Sequence, residues 1–406
     1  MIRLMLRGLV GLLLLTSSIS AEDLVLRRVL WSVVTTETAD VSFAPDSDLL
    51  LINDHDGIRV LDPQTGRAAW GNGDPQDAGF VLQWEPSRPN QKTSQRELLS
   101  GVWINQNWIG LVDGAHLGTR FIPFQLVSLE MSAEGRLAWN HPAHELVAEP
   151  DWNFASAPIL LSDAVAIVVQ REAAHRILIL NLQGELLTMV PLPSLTSRPA
   201  PVVITLSTTG SDLFLCCGET LLAFQWDGKR LSTRPRGPAS DSNGDFGSPV
   251  PTALCLTSEM VICLRDRSFE CRERATGAIR FRLELPAAAN SLLDAGDGIV
   301  LVSGQNLTAI ELETGKTLWE IAPLREADQG VGRAALVEGV LFWPTRDEIV
   351  KIDPRTGQLK QQIPLRALTG VGGGDLIPGP GILLVREPGR LTALELVAED
   401  GADQSQ

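Results

Sequence analysis

An acid four residues before a glycine, a threonine immediately before that glycine and a large aromatic four residues after it return along this chain at near-regular intervals. Asp62-Pro63-Gln64-Thr65-Gly66 leads to Trp70, and Glu311-Leu312-Glu313-Thr314-Gly315 leads to Trp319. Glu273-Arg274-Ala275-Thr276-Gly277 leads likewise to Phe281, and Asp353-Pro354-Arg355-Thr356-Gly357 to Gln361. Weaker copies pair Gly135 with Trp139, Gly184 with Thr188 and Gly228 with Ser232. The successive glycines stand 69, 49, 44, 49, 38 and 42 residues apart. All but the first interval lie near the length of a four-stranded propeller blade, about 40 to 50 residues. The 69-residue interval therefore holds an insertion, which the polar, Pro-containing stretch 85–100 supplies.

Each part of the motif has a physical task. Alternating runs such as Ile58-Arg59-Val60-Leu61 and Leu307-Thr308-Ala309-Ile310 read as half-buried strands ahead of the turn. The acid accepts hydrogen bonds from turn amides, and glycine supplies the positive φ that closes a tight hairpin. The aromatic then sits on the outer strand, where its ring is buried between neighbouring sheets.

The chain ends complete each other. Gly381–Val385 and Leu391–Leu396 read as inner strands with no outer strand after them, whereas Val29-Leu30-Trp31-Ser32-Val33-Val34 reads as an outer strand with nothing before it. The first strand is thus expected to complete the last blade and remove the exposed sheet edges. Outer strands at Trp31, Trp70, Trp139, Thr188, Ser232, Phe281, Trp319 and Gln361 give an all-β, eight-bladed propeller of four-stranded antiparallel blades. The expected organisation is a signal peptide over 1–21, one propeller domain over 22–398 and an acidic tail over 399–406.

The strand, acid, Thr-Gly and aromatic resemble the repeat of the pyrroloquinoline-quinone-like propeller family, best over residues 50–71 and 299–363. That family includes quinoprotein alcohol dehydrogenases and non-catalytic outer-membrane assembly factors of the BamB type, and the resemblance is closest to the latter. Its motif residues build blades and do not form an active site. Quinoprotein dehydrogenases hold their cofactor against an adjacent cysteine pair. Cys216-Cys217 is such a pair, but neither the surrounding cofactor pocket nor the calcium ligands can be matched here. The assembly factors imply a protein partner and are usually tethered through a lipid-bearing cysteine, which is missing from residues 1–215.

Composition and charge narrow the function. Arg3 and Arg7, the apolar run Leu9–Leu15 and the small residues up to Ala21 read as a secretory leader. No later run is long and apolar enough for a transmembrane helix. A net charge of −15 excludes a general nucleic-acid binder, which needs clustered Lys and Arg.

Five cysteines lie between residues 216 and 271. Cys255, Cys263 and Cys271, spaced by eight, are expected side by side across one sheet, either as buried thiols or with one cross-strand disulfide. His141-Pro142-Ala143-His144-Glu145 reads as a solvated loop, and Asp241–Asp245 as a turn. No catalytic constellation, metal set or cofactor site emerges. The expected protein is a monomeric, exported, non-catalytic scaffold that binds a protein partner in the periplasm or cell envelope. The alternatives are a quinone- and calcium-dependent oxidoreductase and a carbohydrate-binding propeller. Binding is assigned to the face bearing the long connections 71–100, 112–123, 140–156 and 233–248, with Trp84, Trp108, His116, Trp152 and Phe246 as contact residues.

Overall fold

The computed structural model describes residues 24–398 apart from 36–38, 46–47, 55–56, 70–79, 84–99, 113–114, 118–119, 123–124, 132–135, 194–203, 218–219, 234–252, 324 and 371. The segments expected as signal peptide and acidic tail fall outside them. Eight antiparallel sheets form the eight blades of a β-propeller. Blade 1 comprises Asp40–Phe43, Leu50–Asp54, Gly57–Leu61 and Phe80–Gln83, and blades 2 to 7 follow in chain order. Blade 8 comprises Asp375–Gly379, Ile382–Glu387, Arg390–Ala398 and, as its outermost strand, Leu24–Val34 from the other end of the chain.

The hydrophobic pattern explains the stacking. Central strands are buried on both faces, so they read as near-continuous apolar runs, and alternate residues serve alternate neighbours. In blade 1, Leu50 and Ile52 pack toward blade 8 while Leu51 packs toward blade 2. In blade 3, Ile177 and Ile179 face blade 4 while Leu178 and Leu180 face blade 2. Every junction between successive blades, including that from blade 8 to blade 1, holds its own apolar cluster. The core is a ring of slabs.

The Thr-Gly hairpins have the expected chemistry. Asp62 Oδ1 accepts the amides of Gln64 at 2.8 Å and Thr65 at 3.0 Å, and Asp353 Oδ1 repeats this with Arg355 and Thr356. Burial pushes the Asp353 carboxyl up, but these turn amides outweigh it and hold it below its ordinary value. Where the acid is glutamate, its longer side chain takes the threonine hydroxyl instead, as in Thr276 to Glu273 at 2.9 Å and Thr314 to Glu311.

The aromatic does more than fill space. The Trp31 indole N–H, in blade 8, donates to the Pro63 carbonyl of blade 1 at 2.7 Å, and the ring lies against Gly66. Trp319 of blade 6 binds the Pro354 carbonyl and covers Gly357, and Trp139 of blade 2 binds the Leu182 carbonyl and covers Gly184. Phe281 of blade 5 covers Gly315. Gly66 and Gly357 have φ of +67° and +70°, and a Cβ on them would sit 2.5 and 2.6 Å from the indole. Glycine is required twice over, for the backbone and for the neighbour's ring.

Two expectations need correction. The outermost strand of blade 1 is Phe80–Gln83, paired with Gly57–Arg59, and does not start at Trp70. The motif begins in register, with Leu61 bridged to Ala68 and the Ala69 amide on the Val60 carbonyl. Residues 70–79, Trp70 among them, then intervene and lie outside the described residues, so 85–100 is not the only added length. The cysteines also divide. Cys255 and Cys271 share a row with Ile262 between them, whereas Cys263 is one residue out of step and faces blade 4. All three carry free thiols, and burial pushes Cys255 and Cys271 up to about 11. Cys216 and Cys217 end the second strand of blade 4.

Charged groups are also built into the blades. Glu270, on the third strand of blade 5, accepts from Arg272 at 2.7 Å and Arg282 at 2.6 Å. Burial pushes its carboxyl up, but the two guanidiniums outweigh burial and leave it below the ordinary glutamate value. A carboxyl so depressed stabilises the fold above its unfolded value of about 4.3, and the contribution is lost as pH falls through the lower folded value. Glu270→Gln should therefore cost about 3 kcal/mol at pH 7, the low end for opening a buried pair because Arg282 is partly exposed. The gap should narrow below about pH 4. Urea midpoints at pH 7 and pH 3 measure both; equal losses at the two values would contradict the pairing.

Ring closure yields a second test. Deleting residues 24–34 opens the edge of blade 8 and empties the Trp31 site, so the truncated chain should aggregate or lose at least about 3 kcal/mol. Unchanged thermal unfolding and light scattering would contradict the closure.

Candidate functional site

In a four-stranded antiparallel blade the hairpin between the third and fourth strands, Thr-Gly in blades 1, 5, 6 and 7, and the turn between the first two strands emerge on one face of the ring. The connections between blades and between the second and third strands emerge on the other. Among the described residues, this second face carries added elements at blades 2 and 3. Between its second and third strands, blade 2 carries an extra hairpin, Ala115–Leu117 paired with Arg120–Ile122. The link from blade 2 to blade 3 is the helix Ala143–Val147 followed by a compact turn. Ala143 and Val147 bury into the core between these blades. The turn bends through Ala148 and Asp151, both at positive φ, and delivers Trp152 inward.

Trp152 is 2% exposed. The guanidinium carbons of Arg176 and Arg171 lie 4.3 and 5.1 Å from its ring centroid. Glu149 accepts from Arg171 at 2.8 Å, Arg176 at 2.9 Å and the Trp152 indole at 3.2 Å. Its carboxyl is held below the ordinary glutamate value, first by the Arg176 hydrogen bond and then by that of Trp152. Arg171 ends the second strand of blade 3 and Arg176 lies near the start of the third, so the turn between them, with Glu172 at positive φ, brings both cations over one ring. Arg171 keeps 39% of its side chain exposed. The result is a fixed plate: a buried indole, two guanidiniums clamped by one carboxylate, and donors still facing water.

The candidate residues fare differently. Trp152 organises this plate from below the surface. Trp108 is not a surface residue; it sits fully buried on the second strand of blade 2, its ring against Gly101 and Gly110. His116 lies on the extra hairpin, on the expected face. Trp84 and Phe246 fall outside the described residues. His141 stacks on Trp139 at 5.5 Å. Among the described residues no three His, Cys, Asp or Glu side chains come together as a metal set. Arg171, Arg176 and Glu149 were not anticipated; their only trace in the sequence is two arginines flanking a short turn in the apolar stretch 164–180.

These features define a closed eight-bladed propeller whose Thr-Gly hairpins are similar to the pyrroloquinoline-quinone-like repeat. Residues 218–372 match the family model described as outer membrane protein assembly factor BamB. BamB from Moraxella catarrhalis superposes with a TM-score of 0.58 at 16% identity, covering 91% of this chain and all of that one. The computationally designed Ika8 protein gives a TM-score of 0.61 at 13% identity with the same coverage, so at these identities the likeness is one of fold. No curated protein matches the sequence.

Trp152→Ala should cost about 3 to 5 kcal/mol, because it empties a buried site and releases both guanidiniums. Arg171→Ala should cost under about 1 kcal/mol, since its ion pair is exposed. Denaturant midpoints separate the two; equal costs would mean that the plate is not anchored on the indole.

Proposed function

We propose that this chain is an exported, non-catalytic scaffold that binds a protein partner in the periplasm or cell envelope through the insertion-bearing face of blades 2 and 3. The observation that carries this reading is the Trp152 plate, set in the connections of the same face that bears the extra hairpin of blade 2. A rigid ring holds there two guanidiniums whose donors still face water, and binding residues concentrate on loops held by rigid scaffolds. The leader-like residues 1–21 support export. Among the described residues no helix is long and apolar enough to cross a membrane. The match of residues 218–372 to an assembly-factor model supports a partner that is itself a protein. Arg171 and Arg176 favour an acidic or backbone-carbonyl surface on that partner.

Photo-crosslinkers placed at Leu117 and Arg171 of the mature chain should capture one discrete envelope protein. Replacing residues 115–122 by a two-residue turn should abolish capture with the melting temperature unchanged. Capture only from positions beside Gly277, Gly315 and Gly357 would show that the opposite face is the working one.

A further inference from the structure

The opposite face carries a cleft of about 550 Å³ between blades 5 and 6. Its walls are the first turn of blade 5 with Glu259 and Met260, the first turn of blade 6 with Asp294 and Asp297, the hairpin of blade 6 with Glu313, and Arg280 from the outermost strand of blade 5. A second hollow of about 460 Å³ lies toward blade 4, across a ridge formed by Ser258, Glu259, Met260 and Arg280. Backbone hydrogen bonds fix the walls: the Arg274 amide donates to the Glu259 carbonyl at 2.7 Å, and the Leu312 amide to the Gly298 carbonyl at 2.8 Å. The cleft is thus formed before any ligand arrives, which lowers the cost of binding.

The charges lining it are unevenly committed. Asp297 is held by Arg355, and Asp294 Oδ1 accepts the Gly296 amide at 2.9 Å, while in the neighbouring hollow Arg274 is held by Asp212 at 2.6 Å. Arg280 has only the Met260 sulfur, at 4.0 Å, and among the described residues it forms no ion pair. Glu259 and Glu313 are exposed and likewise unpaired among them. One cation and two carboxylates therefore face a common space without partners. Met260 and Leu312, each 5% exposed, provide apolar surface at its base.

A polyanion is repelled by the surrounding acids, and a simple cation leaves the Arg280 fork unused. A molecule bearing one carboxylate and one ammonium satisfies both signs. We propose that this cleft binds the carboxyl-terminal end of a short, lysine-containing peptide: the terminal carboxylate on the Arg280 guanidinium, the lysine ammonium between Glu259 and Glu313, and the aliphatic stem over Met260 and Leu312. Its volume lies within the usual range for small-molecule sites, about 300 to 1,000 Å³. The site is independent of the blade 2 and 3 surface, since no residue is shared.

Isothermal titration of the mature protein with the dipeptide Ala-Lys tests it, with Ala-Lys amide and Ala-Glu as comparison ligands. Saturable binding is expected for Ala-Lys, at least about tenfold weaker binding for the amide and for Ala-Glu, and the same loss for Arg280→Gln with Ala-Lys, tenfold being the effect of about 1.4 kcal/mol. Glu259→Gln with Glu313→Gln should weaken Ala-Lys and leave Ala-Glu no weaker. Circular dichroism melts confirm that the variants are folded. No heat with Ala-Lys, equal affinity for its amide, or full binding by folded Arg280→Gln would each overturn the proposal.

Discussion

Four junctions of this ring, including its closure, rest on one contact: an aromatic on the outermost strand of one blade lying against the glycine of the next blade's hairpin. The contact couples two otherwise local events, because the glycine that lets the hairpin turn is also the only residue that leaves room for the ring. Apolar slabs between blades supply most of the favourable free energy, as burial does generally. They are poor at fixing register, since one aliphatic surface slides on another at little cost. The indole N–H on a specific carbonyl, as from Trp31 to Pro63 or Trp319 to Pro354, supplies the missing address. At the closure it fastens blade 8, whose outermost strand is the N-terminal one, to the hairpin of blade 1.

Where the clamp is missing, a substitute appears. Blade 3 presents Thr188 at the aromatic position, and a Cβ on Gly228 of blade 4 would meet nothing within 4 Å. There the link runs the other way: Trp226, at the end of the third strand of blade 4, donates to Asp163 in the first turn of blade 3 at 3.2 Å. Buried charges do similar work at other positions. Asp212 with Arg274 ties blade 4 to the hairpin of blade 5, and Arg386 of blade 8 pairs with Asp375 while donating to the Ala39 carbonyl of blade 1 at 3.0 Å. Such pairs add little net stability, since desolvation offsets most of their attraction, but a wrong register would leave each charge alone.

The architecture was legible because the motif serves the fold at a fixed spacing, so sequence period and structural period coincide. The site was less legible because the residues that build it come from elements with no shared spacing. Glu149 sits in a connection, Arg171 and Arg176 in a hairpin of the following blade, and only tertiary structure sets them around Trp152. Trp108 misled for the converse reason: it lies in a stretch flanked by insertions, yet Gly101 and Gly110 on either side of it are the trace of a ring that needs space in a strand pair. The cysteine trio shows the limit of counting. Equal spacing of eight ignores the turns, which pair Cys255 and Cys271 with the same Ile262 and leave Cys263 on the other side of the sheet.

The two faces of the ring differ because the clamps occupy one of them. Gln64 to the Pro380 carbonyl, Arg355 to Asp297 and Trp226 to Asp163 all join neighbouring blades across the hairpin face. The other face carries an added hairpin at blade 2 and a helix in the link from blade 2 to blade 3. The cleft on the hairpin face follows from the same logic. At the junction of blades 5 and 6 the aromatic is Phe281, which covers Gly315 but has no N–H for the carbonyl at Leu312, the position that Pro63 and Pro354 hold in the tryptophan clamps. Leu312 and Glu313 line the cleft at this junction. A weaker clamp leaves open space and unpaired charge on the face otherwise closed by blade-to-blade contacts.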